Sequence, residues 1–360
     1  MWQEYFRQQA LIEPQNETKT GFVAWQSPSN IALVKYWGKH GNQLPNNPSV
    51  SLTLSVAHTR TQILWQPKTG KGIELKFFFD GKEENAFQQK IVRFLEHQLD
   101  ILPFIESFSL RIESWNTFPH SSGIASSASS MSALVMCLLD MEQQLRSDKI
   151  NDDILRRKAS WLARQASGSA ARSIFPHVGI WGETAFEGST DEFAVPMPQL
   201  HSIFKKFRDS ILIIHSGSKS VSSRIGHTLM EGNPFAEIRY AQARQNTLLM
   251  LEALQSGDLE TFIHITEAEA LQLHALMMTS NPSFVLMKPA TLTVIEKVRD
   301  FRTQTGIPLC FTLDAGPNVH LLYPDEYQSK VRLFIEEELL KHCEQGQWLD
   351  DYVGTGPSRL

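Results

Sequence analysis

The sequence predicts a two-lobed α+β protein, and three observations carry that reading. The chain has 360 residues, more than one hydrophobic core usually organises. Its first third alternates apolar and polar residues with the period of strands. Beyond Ala125, segments of helical composition and short apolar strand-like runs are interleaved up to VHLLYP near the C-terminus.

SNIALVKYWGKHG, Ser29 to Gly41, admits two readings. Ile31 to Val34 is a buried strand in both; Lys35 to Lys39 is either its solvated exit or a set of cations delivered to an anion. Val50, Leu52, Leu54 and Val56 then alternate with Ser51, Thr53 and Ser55, which predicts a half-buried strand. Asp80-Gly81 in KFFFDGKEE tolerates the positive φ of a tight hairpin. Ala125 to Leu145 lacks glycine and proline and reads as a helix opened by Pro119-His-Ser-Ser-Gly123. A second helix is expected over Asp153 to Gln165, interrupted by Ala166-Ser167-Gly168 and followed by a strand-like VGIWGETAF. Glu192 to Arg208 reads as a crossing between lobes, and SILIIHSG, Ser210 to Gly217, as a buried strand. Leu248, Leu251 and Leu254 predict one apolar helix face. Ser256-Gly257 stops that helix, and Asp258 caps the next, with Leu259, Phe262 and Ile263 inward. Leu309, Phe311 and Leu313 alternate before DAGPN turns the chain.

Composition narrows the function. A formal charge of −5 argues against a nucleic-acid footprint, so any anionic ligand is met by local cations. Three scattered cysteines, Cys137, Cys310 and Cys343, supply neither a disulfide framework nor a zinc pattern. The charged N-terminal stretch and an apolar run no longer than Ala133 to Leu139 lead us to expect a soluble cytoplasmic protein without a membrane span. HExxH, GxGxxG after a strand and GxSxG are all absent from the sequence.

Four stretches could carry chemistry. PHSSGIASSASS, Pro119 to Ser130, joins Gly123 and several hydroxyls to a helix N-terminus, which suits a phosphate; a serine-rich cap is the plain alternative. In QASGSAARS, Ser169 and Arg172 share a helical face, with Ser167 at a capping position, a surface for phosphate or carboxylate; a surface helix start with a solvated arginine is the plain alternative. FTLDAGPNVH holds Asp314 at a strand end, where it can accept or orient a proton; Asp is also a common turn former. HSGSKSVSSRIGH, with Lys219, Ser222, Ser223 and Arg224, reads as a polar loop able to meet an anion.

KYWGK, FPHSSGIASSAS, SGSAARS, KSVSSRIG and FTLDAGPN, in that order, resemble the mevalonate diphosphate decarboxylases of the GHMP kinase superfamily. The resemblance implies a two-lobed GHMP kinase fold: a ribosomal protein S5 domain 2-like N-terminal lobe (1–195, with the ATP phosphate loop) and a ferredoxin-like C-terminal lobe (196–360, with the catalytic Asp). It implies ATP-dependent decarboxylation of mevalonate 5-diphosphate to isopentenyl diphosphate, with Mg²⁺, by phosphorylation of the tertiary alcohol and loss of phosphate and carbon dioxide. A homodimer is implied as well. Residue by residue, Tyr36 and Lys39 match contacts to the substrate diphosphate, joined by Ser167 and Ser169. Lys35 would add positive charge or order the strand end, Arg172 matches the holder of the substrate carboxylate, and Asp314 the catalytic acid residue at the tertiary hydroxyl. Ser121, Ser122, Gly123, Ser126 and Ser127 match the ATP phosphate loop, and Ser222 and Ser223 lie near the transferred phosphoryl group. This chain departs from the usual pattern at Asn46-Asn47-Pro48-Ser49-Val50-Ser51, at Ala166 and Ala171, and at Arg224. Rival expectations are a small-molecule kinase on the same fold, a decarboxylase of mevalonate monophosphate, and a non-catalytic ligand sensor.

Overall fold

The computed structural model describes residues 1–12, 19–118, 124–217 and 223–360, without the side chains of 223 and 224. Among the described residues the first 196 residues, joined by a strand from the C-terminal end, build an eight-stranded sheet. Along its main path the order is Ser358–Arg359, Gly21–Val34, Ser49–Pro67, Phe108–Asn116, Glu74–Phe79 and Lys82–Glu83; Val178–Trp181 also pairs with Ser49–Pro67, and Ala194–Pro196 with Val178–Trp181. The backbone of the sheet is the long antiparallel pair Gly21–Val34 and Ser49–Pro67. Its register shifts between Pro28 and Asn30, where proline offers no ladder donor. Asp80 and Gly81 both take positive φ and pair Phe79 with Lys82, as their dipeptide predicts. Glu74–Phe79 runs parallel to Phe108–Asn116, which requires a crossover; helix Asn85–Glu96 supplies it.

Helix Ser126–Leu145 lies on the two long strands, and Asp152–Ala166 packs beside it. Their one buried charge pair, Lys158 Nζ to Glu142 Oε2 at 2.7 Å, is satisfied by two donor contacts from the same ammonium. A four-stranded antiparallel sheet follows, in the order Cys310–Thr312, Val319–Pro324, Phe207–Leu212 and Trp348–Tyr352. Helices Ala236–Ser256, Leu259–Met278 and Pro289–Thr305 accompany it. Gly257 at φ +85° ends the first of these, and Asp258 accepts the N–H groups of Glu260 and Thr261 to start the second.

Four expectations are corrected. Ser49 to Leu54 is buried on both faces: Val50, Leu52 and Leu54 share one core cluster with Phe207, Met250, Phe262 and Leu322 of the C-terminal half, while on the other face Ser49 Oγ accepts from Arg172 and Thr53 Oγ1 donates to the Phe175 carbonyl. Leu248 points outward, 44% exposed, while Leu251 and Leu254 are buried, since the inward face of that helix runs through Ala243 and Met250. VGIWGETAF pairs only over Val178–Trp181, and Gly182 at φ +105° turns the chain away. The strand expected from Ser210 begins earlier, at Phe207.

Asp351 ties the two sheets together. Fully buried on the edge strand Trp348–Tyr352, its carboxylate accepts the N–H groups of Ser55, Val56 and Ala57 at 2.9, 2.7 and 2.7 Å. Removing the acceptor leaves buried donors unpaired. Asp351→Ala is therefore expected to lower the unfolding free energy by about 3 kcal/mol or more, read as a lower denaturant midpoint; an unchanged midpoint would show that water replaces the carboxylate without loss.

Candidate active site

Lys35 leaves strand Gly21–Val34 but does not reach solvent; it is 1% exposed. Its Nζ donates to Ala32 O at 2.6 Å and to Asp314 Oδ1 at 3.2 Å. Its backbone is held equally firmly. The N–H donates to Glu269 Oε2 at 2.8 Å, and the carbonyl accepts Asn47 Nδ2 at 3.0 Å and Arg239 Nη2 at 3.4 Å. Glu269 is in turn paired with Arg239 and accepts Asn246 Nδ2 at 2.6 Å. Burial pulls the Lys35 ammonium below its ordinary pKa, and the Asp314 carboxylate pulls it back. The solvated-exit reading of this stretch is thus excluded for Lys35.

Asp314 stands in the turn after Cys310–Thr312, its carbonyl accepting Gly316 N–H at 2.7 Å and the ring Nε2 of His274 at 3.1 Å. Arg172 lies on the 3₁₀ helix Gly168–Ile174, where residues three apart eclipse one another, so Ser169 and Arg172 do share a face. The guanidinium is almost fully buried; it donates to Ser49 Oγ and, at 3.4 Å, to Asn30 Oδ1. Burial lowers its pKa to about 10, which leaves it charged at neutral pH. Ser167 precedes this helix without capping it through its side chain; its hydroxyl instead meets Ser127 Oγ at 3.3 Å.

The hydroxyl of Tyr36 is buried and, among the described residues, has no partner. Its ring packs on Trp181 and His227, with centroids 4.6 and 4.3 Å apart, and burial keeps the phenol protonated. Gly168 permits that placement, since a Cβ there would come within 3.0 Å of the Tyr36 hydroxyl. His227 accepts Gly38 N–H through Nδ1 at 3.0 Å and is held neutral by burial, its pKa lowered to about 3. Lys39 Nζ contacts Gln43 Oε1 at 2.9 Å on the rim.

These groups face one cleft of about 930 Å³. Lys35, Tyr36, Ser169, Arg172 and Asp314 line its polar end, with Lys39 and Ser167; Ser126 and Ser127, the first residues of helix Ser126–Leu145, also line it. Phe77, Phe79, Phe87, Ile91 and Met131 add an apolar wall, with Lys90, Arg93 and His97 also on the lining. The structure therefore gathers Lys35, Tyr36, Lys39, Ser126, Ser127, Ser167, Ser169, Arg172 and Asp314. Ser121, Ser122, Gly123 and Ser222, together with the Ser223 side chain, lie outside the described residues. Sequence reasoning missed Asn30, Ser49, His227, Glu269, Arg239 and His274. Ser49 had a visible signal, lying in the Asn46 to Ser51 departure; the structure makes it a hydrogen-bond partner of Arg172. Among the described residues, no group of three His, Cys, Asp or Glu side chains is placed to hold a metal.

Comparison with known proteins identifies the family. Residues 27–193 match the diphosphomevalonate decarboxylase-like N-terminal domain, and residues 210–353 the mevalonate 5-diphosphate decarboxylase C-terminal domain. The diphosphomevalonate decarboxylase of Aspergillus fumigatus is 30% identical over 82% of this chain and 75% of its own length. That of Saccharomyces cerevisiae is also 30% identical, over 86% and 79%. Among solved structures, mevalonate diphosphate decarboxylase from Staphylococcus aureus is 27% identical with a TM-score of 0.80, over 95% of this chain and 98% of that one. MDDEF in complex with MVAPP, AMPPCP and magnesium is 29% identical with a TM-score of 0.79, over 95% and 99%. With both domains matched in order and the fold shared across nearly the whole length, this chain belongs to the diphosphomevalonate decarboxylase family.

Proposed function

We propose that the polar end of the cleft takes mevalonate 5-diphosphate and that the chain converts it, with ATP, to isopentenyl diphosphate, ADP, phosphate and carbon dioxide. Membership of the family makes the chain an enzyme of the mevalonate pathway with diphosphomevalonate decarboxylase activity. The observation that carries the reading is the Lys35–Asp314 contact at 3.2 Å beside a buried, charged Arg172. A cation, a carboxylate and a second cation then meet a substrate with an alcohol between two anionic ends.

In this reading the substrate diphosphate lies against Tyr36, Lys39, Ser167 and Ser169. The partnerless Tyr36 hydroxyl supports it, because a buried donor needs an acceptor and a phosphate oxygen is one. Arg172 holds the substrate carboxylate with its planar fork of donors. Asp314 accepts or orients the proton of the tertiary hydroxyl, and Lys35 holds that carboxylate in place. Ser126 and Ser127, with Ser121, Ser122 and Gly123 before them, face the ATP phosphates; Ser222 and Ser223 lie near the phosphoryl group in transfer. The apolar end, walled by Phe77, Phe79 and Phe87, suits a purine base. Magnesium fits as an ion carried by the nucleotide, since it favours phosphate, hydroxyl and water oxygens over an all-protein cage; when bound it offsets phosphate charge.

Loss of phosphate leaves the tertiary carbon electron-poor. Asp314 then faces developing positive charge while Arg172 orients the carboxylate whose electrons form the alkene. At about 4 Å with an effective dielectric near 20, each ion pair is worth about 4 kcal/mol, so local cations outweigh the net charge of −5. The homodimer rests on the family resemblance and the cytoplasmic setting on the composition and scattered cysteines; among the described residues no helix is long and apolar enough to cross a membrane.

Asp314→Asn is expected to bind both substrates and lose about 10² to 10⁴ in turnover; near-normal turnover would remove Asp314 from the chemistry. Arg172→Ala is expected to depress carbon dioxide release more than ATP affinity. A change in ATP affinity alone would place Arg172 elsewhere.

A further inference from the structure

The two ends of the Lys35–Asp314 contact come from different sheets, yet one helix grips both. On Leu259–Met278, Glu269 Oε2 accepts the Lys35 N–H at 2.8 Å, and five residues later His274 Nε2 lies 3.1 Å from the Asp314 carbonyl oxygen. A carbonyl has no proton to give, so His274 Nε2 must be the donor. Five residues span about 7.5 Å of helix axis, a rigid length set by the backbone. Glu269 and His274 are 0% and 1% exposed, and Leu273 beside them lines the cleft. Neither polar side chain contacts the space where a substrate would lie, so their ionisable character needs another explanation.

We infer that helix Leu259–Met278 acts as a spacer, with Glu269 and His274 as positioning residues that fix the separation and aim of Lys35 and Asp314. Glu269 is itself immobilised by Arg239 and by Asn246 Nδ2 at 2.6 Å, both from helix Ala236–Ser256. Arg239 Nη2 also reaches the Lys35 carbonyl at 3.4 Å. The Lys35 peptide is thus held on both sides by C-terminal helices, although the residue belongs to the end of an N-terminal strand. His274 does the same from one point for the turn that carries Asp314. A small error in either grip displaces the carboxylate from the alcohol without touching the groups that bind diphosphate.

The inference rests on the catalytic reading of Asp314, and the test separates the two. His274→Leu, His274→Gln, Glu269→Gln and Asp314→Asn are compared with the unaltered enzyme for kcat on mevalonate 5-diphosphate and ATP, and for calorimetric affinity toward each. Turnover is referred to the fraction of chains that bind substrate, so that loss of folded protein does not count. His274→Leu is expected to lose about 10²-fold in kcat, the scale of an ångström-size misplacement, with affinities within a few-fold. His274→Gln, whose amide offers a donor at similar reach, should recover most of that loss. Equal loss in the Leu and Gln variants, or a loss confined to affinity, would overturn the spacer role. If His274→Leu does not fold, Glu269→Gln decides: a lowered kcat with retained binding supports the inference, and an unaltered kcat overturns it. A full loss in Asp314→Asn with none in the His274 and Glu269 variants defeats the inference alone. No loss in Asp314→Asn defeats the site reading and the inference with it.

Discussion

The architecture depends on one constraint: a lysine ammonium is kept out of water at the end of a strand and must be met by a carboxylate from the other half of the chain. Lys35 has almost no exposure, and a buried cation persists only with partners. Ala32 O and Asp314 supply them, the latter from the turn after Cys310–Thr312. The contact can form only where the two sheets meet, so the polar end of the cleft is placed by the same packing that joins them.

That packing is a shared core rather than a hinge of loops. Leu33, Val50, Leu52 and Leu54 meet Phe207, Met250, Phe262 and Leu322 in one cluster, and Asp351 adds hydrogen bonds to three successive backbone N–H groups. On this base the 3₁₀ helix Gly168–Ile174 brings Arg172 beside the Lys35–Asp314 contact, with Asn30 and Ser49 holding its guanidinium. Tyr36 is packed by Trp181, His227 and Gly168 so that its hydroxyl is left to a ligand. Each cationic or hydroxyl group is fixed before substrate arrives, which lowers the cost of orienting it at the moment of reaction.

Local signals in the sequence were enough for many elements. Asp80-Gly81 sets its hairpin, Gly257 and Asp258 punctuate two helices, and the spacing of Ser169 and Arg172 predicts their common face. Nearly all the described residues expected at the site do converge on one cleft. What local pattern could not show is burial imposed from a distance. Ser51 and Thr53 alternate with apolar residues as solvent-facing positions do, yet both are fully buried, with Thr53 Oγ1 donating to the distant Phe175 carbonyl. Leu248 has the spacing of an inward residue and faces out, because packing against the sheet selects a different stripe. Glu269, Arg239 and His274 read as ordinary helix-surface polarity; only the fold turns them inward toward Lys35 and Asp314.

The central claim is that this cleft couples ATP consumption to decarboxylation of a diphosphate. The most direct measurement follows carbon dioxide and ADP together while mevalonate, its 5-phosphate and its 5-diphosphate are offered separately with ATP and magnesium. Equal amounts of carbon dioxide and ADP from the diphosphate alone are predicted. ADP without carbon dioxide would make the chain a kinase, carbon dioxide from the monophosphate would change the substrate, and no product from any of the three would contradict the account.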